Sequence, residues 1–133
     1  MFSTAILLVT AAVASSVLAN PVSDSMRRQA SGFITGGQAT FYYQEGGFGS
    51  CGQQNSDSAL IAALSAADIA PGGGDCGRRI EIVNTANGKS VVAAVEDTCP
   101  GCPSHSLDLS VATFDAIGDE SSGIIPIEYK FLD

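Results

Sequence analysis

The stretch 91–110, VVAAVEDTCPGCPSHSLDLS, combines an apolar strand, two adjacent acids, a loop that contains two cysteines, and a third acid. Val91–Val95 predicts a buried strand that runs into the pair of carboxylates ending at Asp97. Asp108 stands between two leucines, and alternation along a short strand points it away from the face that the leucines share. We therefore predict that the rest of the chain is a scaffold that holds Asp97 and Asp108 near each other.

The N-terminal thirty residues have a different composition from the rest. Residues 1–19 carry an uncharged apolar run and end Val17-Leu18-Ala19, which predicts a secretory signal peptide. A membrane anchor is disfavoured because the run is too short to span a bilayer. Residues 20–30 are polar and include Arg27-Arg28, which predicts either a propeptide cut after the dibasic pair or a disordered N-terminus. We expect one folded domain over 31–133 and an extracellular location.

The charge balance excludes several kinds of partner. From Ala30 onward four Lys and Arg residues face thirteen Asp and Glu residues, a net charge of −9. Such a chain repels the phosphates of nucleic acids and anionic membranes, and it also repels acidic polymers. Neutral glycans or basic partners remain. With one CxxC motif and one histidine in an oxidising compartment, we expect no metal and no other cofactor. We expect a monomer.

Four cysteines in a small secreted domain predict two disulfides, for which three pairings are possible. We favour Cys51–Cys76 and Cys99–Cys102. The sequence Cys99-Pro-Gly-Cys102 resembles a redox motif, but it does not open a helix after a strand, as that chemistry requires. A structural bridge is the favoured interpretation.

Residues 34–43 alternate as a strand rich in aromatic side chains. A period of two puts Thr40, Tyr42 and Gln44 on one face. The other face carries Ala39, Phe41 and Tyr43, which we assign to the core. The polar row is then available to line a groove.

The remaining segments are short and mostly extended. Residues 58–69 fit either a helix or a short buried strand at 60–64 followed by a turn. The other predicted elements are strands at 78–84 and 89–96 joined by an Asn87-Gly88 hairpin, a helix at 110–117 capped by Ser110, and a strand at 125–131. Six short strands with one or two short helices predict a mainly β protein that closes into a small barrel.

Several short motifs occur in a fixed order along the chain. They are GQATFYY at 37–43, SCG at 50–52, CG at 76–77, VNTANGKSVV at 83–92, EDTCP at 96–100 and LDLS at 107–110. Together they resemble the double-psi β-barrel group of expansins, barwin-like proteins, rare-lipoprotein-A-like domains and family-45 endoglucanases. The resemblance spans residues 34–132 and is greatest to loosenins, fungal single-domain expansin-like proteins. From this resemblance we expect a single domain that lacks the carbohydrate-binding second domain of expansins.

The resemblance implies a polysaccharide groove lined by Thr40, Tyr42, Asp97 and Asp108. In the similar endoglucanases the position of Gln44 holds an aspartate that acts as general base. An amide cannot take a proton, so we expect no efficient hydrolysis. Expansins place a histidine at the position of Ser106, which we include among the candidate binding residues.

Each of these side chains also has a simpler interpretation. Asp108 fits a proton donor, with Asp97 as the second carboxylate, but either acid could instead stabilise a loop. Tyr42 offers a ring for a sugar or is a half-buried barrel tyrosine. Phe48, on a glycine-rich loop, is a second stacking candidate or a loop anchor.

Three functions follow from the resemblance. The first is a wall-loosening protein that binds cellulose, or chitin, without cleaving it. The second is an inhibitor of a cysteine protease or a secreted effector, acting through loops. The third is a lytic glycan-cleaving enzyme in which Asp108 serves alone as acid and base.

Overall fold

The computed structural model describes residues 32–133, so the predicted signal peptide and propeptide lie outside the described residues. The strands are β1 (Ile34–Tyr42), β2 (Ile61–Ser65), β3 (Arg79–Asn84), β4 (Ser90–Cys99), β5 (Leu107–Ser110) and β6 (Ile125–Phe131). One α-helix, α1 (Val111–Asp115), follows β5, and 3-10 turns lie at Pro71–Gly73 and Glu120–Ser122. No helix within residues 32–133 is long and apolar enough to cross a membrane.

The six strands close into one barrel in the order β1-β5-β2-β4-β3-β6, with β6 paired back to β1. The prediction of a small closed β-barrel is therefore confirmed. Two of the contacts are parallel, β1 with β5 and β2 with β4. Parallel neighbours need long crossover connections, so residues far apart in sequence become neighbours on the barrel surface.

The barrel interior is filled by aliphatic side chains from all six strands, closed by Phe114 of α1 and Tyr129 of β6. Leu107 and Leu109 are buried on this inner face, as their spacing around Asp108 predicts. The ambiguous segment 58–69 contributes strand β2, whose residues are all buried. Its alanines favour a helix locally, but pairing with β4 and β5 on both edges determines the outcome.

The assignment of Tyr43 to the core is wrong. Its side chain is 53% exposed. β1 ends at Tyr42, so strand alternation no longer applies at the next residue. The Tyr43 hydroxyl donates to Glu120 Oε1 at 2.9 Å, and its ring packs edge-on against Phe41.

The predicted hairpin and helix cap are both present. In the loop between β3 and β4, Gly88 has φ 77° and its N–H donates to the carbonyl of Asn84 at 2.8 Å. Ser110 precedes α1, and its Oγ accepts the N–H of Thr113 at 3.3 Å. This is the bond that a helix N-cap supplies.

The two disulfides join Cys51 to Cys76 and Cys99 to Cys102, which is the pairing favoured from the sequence. The first ties the loop after β1 to the segment before β3. The second closes the short turn at the end of β4. Both lie beside the surface on which the candidate site residues stand.

Candidate functional site

The candidate acids lie in one row that crosses four strands. Thr40 of β1 pairs with Asp108 of β5, and Asp108 pairs in turn with Ala63 of β2. Ala63 also pairs with Asp97 of β4 on its other side. The two acids are thus two strands apart, roughly 10 Å between Cα atoms at normal strand spacing. We use the name groove, after the predicted polysaccharide groove, for the surface formed by Thr40, Tyr42, Asp97 and Asp108; its role in binding stays a prediction.

A β-bulge at Glu96 explains why Asp97 reaches this surface. Ala62 pairs with Val95, but the next residue, Ala63, pairs with Asp97, so Glu96 is an extra residue in β4. Val95 is fully buried, and strict alternation would send Asp97 to the same inner face. The bulge turns Asp97 outward, a common use of bulges near functional sites.

Asp108 is a half-buried carboxyl with an ordered partner. The Thr40 hydroxyl donates to Asp108 Oδ1 at 2.8 Å. Burial raises the pKa of Asp108 above its ordinary value, the Thr40 bond opposes this rise, and the negative charge of Asp97 adds to it. Asp108 therefore keeps a proton to higher pH than an ordinary aspartate, as a proton donor requires.

Asp97 makes several hydrogen bonds within the protein. Its Oδ2 accepts from the Tyr42 hydroxyl at 3.1 Å. Its Oδ1 accepts the main-chain N–H groups of Ser50 and Thr98, each at 2.8 Å. These bonds tie the loop after β1 to β4, so the geometry gives Asp97 a stabilising role as well as a place in the groove. Burial is the main reason that the pKa of Tyr42 is raised well above its ordinary value.

Gln44 lies just beyond the end of β1, with its side chain close enough to Tyr42 to oppose part of that pKa rise. Its Nε2 and the Nδ2 of Asn55 are buried without an aligned hydrogen-bond partner among the described residues. Both residues border a cavity of about 490 Å³. Phe48, on the same loop, is 74% exposed. Its ring is therefore available to a ligand, and a stacking role for it stays a prediction.

Ser106 is buried, and its Oγ accepts the main-chain N–H of Gln38 at 3.1 Å. This bond fixes the loop before β5 against β1, and a direct contact between Ser106 and a sugar stays a prediction. His105 turns away, with Nδ1 3.0 Å from the carbonyl of Thr35. Sequence reasoning missed Asp68, whose carboxylate accepts from Ser104 Oγ and the His105 N–H. No local pattern links Asp68 to a loop 36 residues later.

A second cavity of about 270 Å³ lies beside Thr40. Its wall includes the Cys99–Cys102 disulfide, Pro103 and Ile124. Within residues 32–133 no three His, Cys, Asp or Glu side chains are grouped so that they could hold a metal ion.

Comparisons with known proteins agree with this fold. The family model described as "Lytic transglycolase" matches residues 34–129. The chain is 41% identical over 91 residues to putative ripening-related protein 6 of Oryza sativa subsp. japonica, covering 64% of this chain and 54% of that protein.

Solved structures with the same fold include an expansin and a protease inhibitor. An Asp-to-Asn mutant of Clavibacter michiganensis expansin in complex with cellohexaose has 32% identity and a TM-score of 0.65, over 74% of this chain and 50% of that one. The Streptomyces papain inhibitor has 30% identity and a TM-score of 0.66, over 76% of this chain and 94% of that one. This chain thus spans about half the length of the rice protein and of the expansin. Because the family model covers nearly the whole barrel and the expansin shares its fold and about a third of its aligned residues, the chain is an expansin-like member of the double-psi β-barrel family described as lytic transglycolase.

Proposed function

We propose that this protein binds a neutral cell-wall polysaccharide, cellulose or chitin, in the groove and loosens it without hydrolysis. The expansin that it resembles was solved with cellohexaose, which supports a glycan as the ligand. The net charge of −9 from Ala30 onward supports a neutral one. Secretion belongs to the same proposal, since the polymer is extracellular.

The observation that carries the proposal is the Thr40–Asp108 pair. When protonated, the Asp108 carboxyl can donate a hydrogen bond to a glycosidic or hydroxyl oxygen, and its raised pKa keeps that form to higher pH than in an ordinary aspartate. Tyr42 stands on the same face of β1 as Thr40, and its ring offers an apolar surface to a sugar. Together these groups can replace the hydrogen bonds that one polysaccharide chain makes with the next.

Cleavage is disfavoured because the second carboxylate of the groove, Asp97, is held by hydrogen bonds within the protein and Gln44 replaces the expected base. Inverting glycosidases need a base that activates water opposite the acid, and Gln44 at that position carries an amide. Retaining glycosidases need two carboxyls about 5–5.5 Å apart. Asp97 and Asp108 are separated by the strand that carries Ala63, and both Asp97 oxygens already accept hydrogen bonds.

The test is an assay of fibre weakening with sugar release measured in parallel. Purified protein should weaken cellulose or chitin fibres and release no reducing sugar. Asp108→Asn should abolish weakening, whereas Asp119→Asn removes the same charge from an exposed residue outside the groove and should leave it intact. Sustained sugar release by the wild type would reject the non-hydrolytic proposal. N-terminal sequencing of protein from the medium would test secretion and cleavage after Arg28.

Protease inhibition is a second candidate, because the chain covers 94% of the Streptomyces papain inhibitor. An inhibitor of this kind would act through its loops, so Asp108→Asn should leave inhibition unchanged. Titration of papain decides the matter. Full papain activity at micromolar protein would exclude this candidate.

A lytic activity is a third candidate, favoured by the description of the matching family and by the raised pKa of Asp108. Asp108 would then act in turn as acid and base. Such an enzyme should clear a suspension of peptidoglycan, and Asp108→Asn should stop the clearing. Unchanged turbidity with the wild type would count against it.

A further inference from the structure

The cavity beside Thr40 differs in chemistry from the groove. The groove is built from acids and hydroxyls, whereas none of the cavity's lining residues is charged. Its walls combine the Cys99–Cys102 disulfide, Pro103 and Ile124 with the polar side chain of Gln38. Ile124 is 55% exposed, although it is a large aliphatic side chain. A mixed wall of this kind fits a small neutral group with an apolar end and a polar end.

The cavity adjoins the candidate site through Thr40. Thr40 borders the cavity and also donates to Asp108 in the groove. Gln38 lies two residues before Thr40 on β1, so their side chains share a face about 7 Å apart. A substituent on a sugar that contacts Asp108 therefore lies within reach of Gln38.

Several bonds hold the cavity wall in place. The Ser65 hydroxyl donates to the carbonyl of Cys102 at 2.8 Å, and the Asp68 carboxylate holds Ser104 and His105. The loop that contains Ser104 and His105 also packs closely against β1. A side chain at Gly37 would collide with the carbonyl of His105. A wall fixed in this way loses little conformational freedom when a ligand enters.

The Gln38 amide supplies the polar recognition. Its side chain is exposed and makes no hydrogen bond to the described residues. A primary amide both donates and accepts, so it is complementary to another amide. An acetamido group presents a carbonyl and an N–H to such a partner, and its methyl group would lie against Ile124 and the disulfide. The hydroxyl groups of a plain glucan offer no apolar end.

We propose that this cavity receives the acetamido group of a β-linked N-acetylhexosamine polymer whose chain lies in the groove, so that the preferred polysaccharide is chitin rather than cellulose. This inference depends on the proposed glycan binding. Peptidoglycan also carries acetamido groups, but it adds carboxylates that an acidic chain repels.

The experiment compares chitohexaose with cellohexaose by isothermal titration calorimetry. Burial of one methyl group alone should make chitohexaose bind about four-fold tighter. Gln38→Ala and Ile124→Ser, both at exposed positions, should each lower that preference, and together they should abolish it. Val92→Ser is the matched control, because Val92 is an exposed aliphatic residue that does not border the cavity, and it should keep the wild-type ratio.

Each result decides the question. Equal affinities for the two hexasaccharides, or tighter cellohexaose binding, would overturn the acetamido site and leave glycan binding intact. A preference for chitohexaose that survives the double variant would also overturn it, since the selectivity would then come from elsewhere. Binding of neither sugar would overturn both the inference and the proposed function.

Discussion

Removing the two disulfides one at a time should destabilise the barrel by unequal amounts. Cys51 and Cys76 are 25 residues apart, whereas Cys99 and Cys102 are 3 apart. A cross-link stabilises a protein largely by restricting its unfolded chain, and the gain grows with the loop that it closes. The chain-entropy relation assigns about 3.5 kcal/mol to the long loop and about 1.6 kcal/mol to the short one.

The two cysteine pairs are similarly buried in the folded protein. All four cysteines are half-buried, so replacement by alanine removes similar packing from each pair. Cys51→Ala with Cys76→Ala should therefore cost about 2 kcal/mol more than Cys99→Ala with Cys102→Ala. For a domain of this size, that difference corresponds to roughly 8–16 °C in Tm.

Urea unfolding followed by circular dichroism measures the free energies of unfolding of both variants and of the wild type. Equal losses, or a larger loss for the Cys99–Cys102 pair, would contradict stabilisation through the unfolded chain. The second result would mean that the short bridge acts by holding the folded turn beside β5, and not through the unfolded chain.

Three further predictions concern the groove and its support. Ser110→Ala should lower the free energy of unfolding by about 3 kcal/mol, because the buried hydroxyl caps α1 and also bonds to the main chain of Ala59 and Ile61. Urea unfolding measures this loss, and Ser121→Ala, at an exposed position, should change the free energy little. The pKa of Asp108 is raised in the folded state, so the wild type should lose stability relative to Asp108→Asn as the pH rises just above the ordinary pKa of an aspartate. A relative gain in stability over that pH interval would contradict a raised pKa for Asp108. Thr40→Val removes a donor to the ionised form and should raise the pKa of Asp108 further; a lower or unchanged value in a carbon-13 NMR titration would contradict this.

Local alternation predicts the structure well wherever a strand is regular. Leu107, Asp108 and Leu109 take the faces that their pattern indicates, because β5 has no irregularity. The same rule fails at Tyr43, one residue past the end of β1. At Asp97 strict alternation predicts the inner face, whereas the bulge at Glu96 turns the side chain to the outer face.

Contacts between distant segments could not be predicted from periodicity. Thr40 and Asp108 are 68 residues apart and meet because β1 and β5 pair in parallel. Their proximity was expected from the family resemblance, and not from either segment by itself. Neither periodicity nor the family resemblance predicts the hydrogen bonds from Ser104 and His105 to Asp68, because these bonds depend on how two loops pack.

The position of Ala63 has a consequence for any polymer held by both acids. Ala63 lies on β2, which is hydrogen-bonded to β4 on one edge and to β5 on the other. β2 therefore fixes the distance between the two acids. Bringing Asp97 and Asp108 closer would mean breaking sheet hydrogen bonds, which makes their separation a rigid dimension of the molecule. A glycan that engages both must change its own torsion angles to match, and the strain of binding then falls on the carbohydrate.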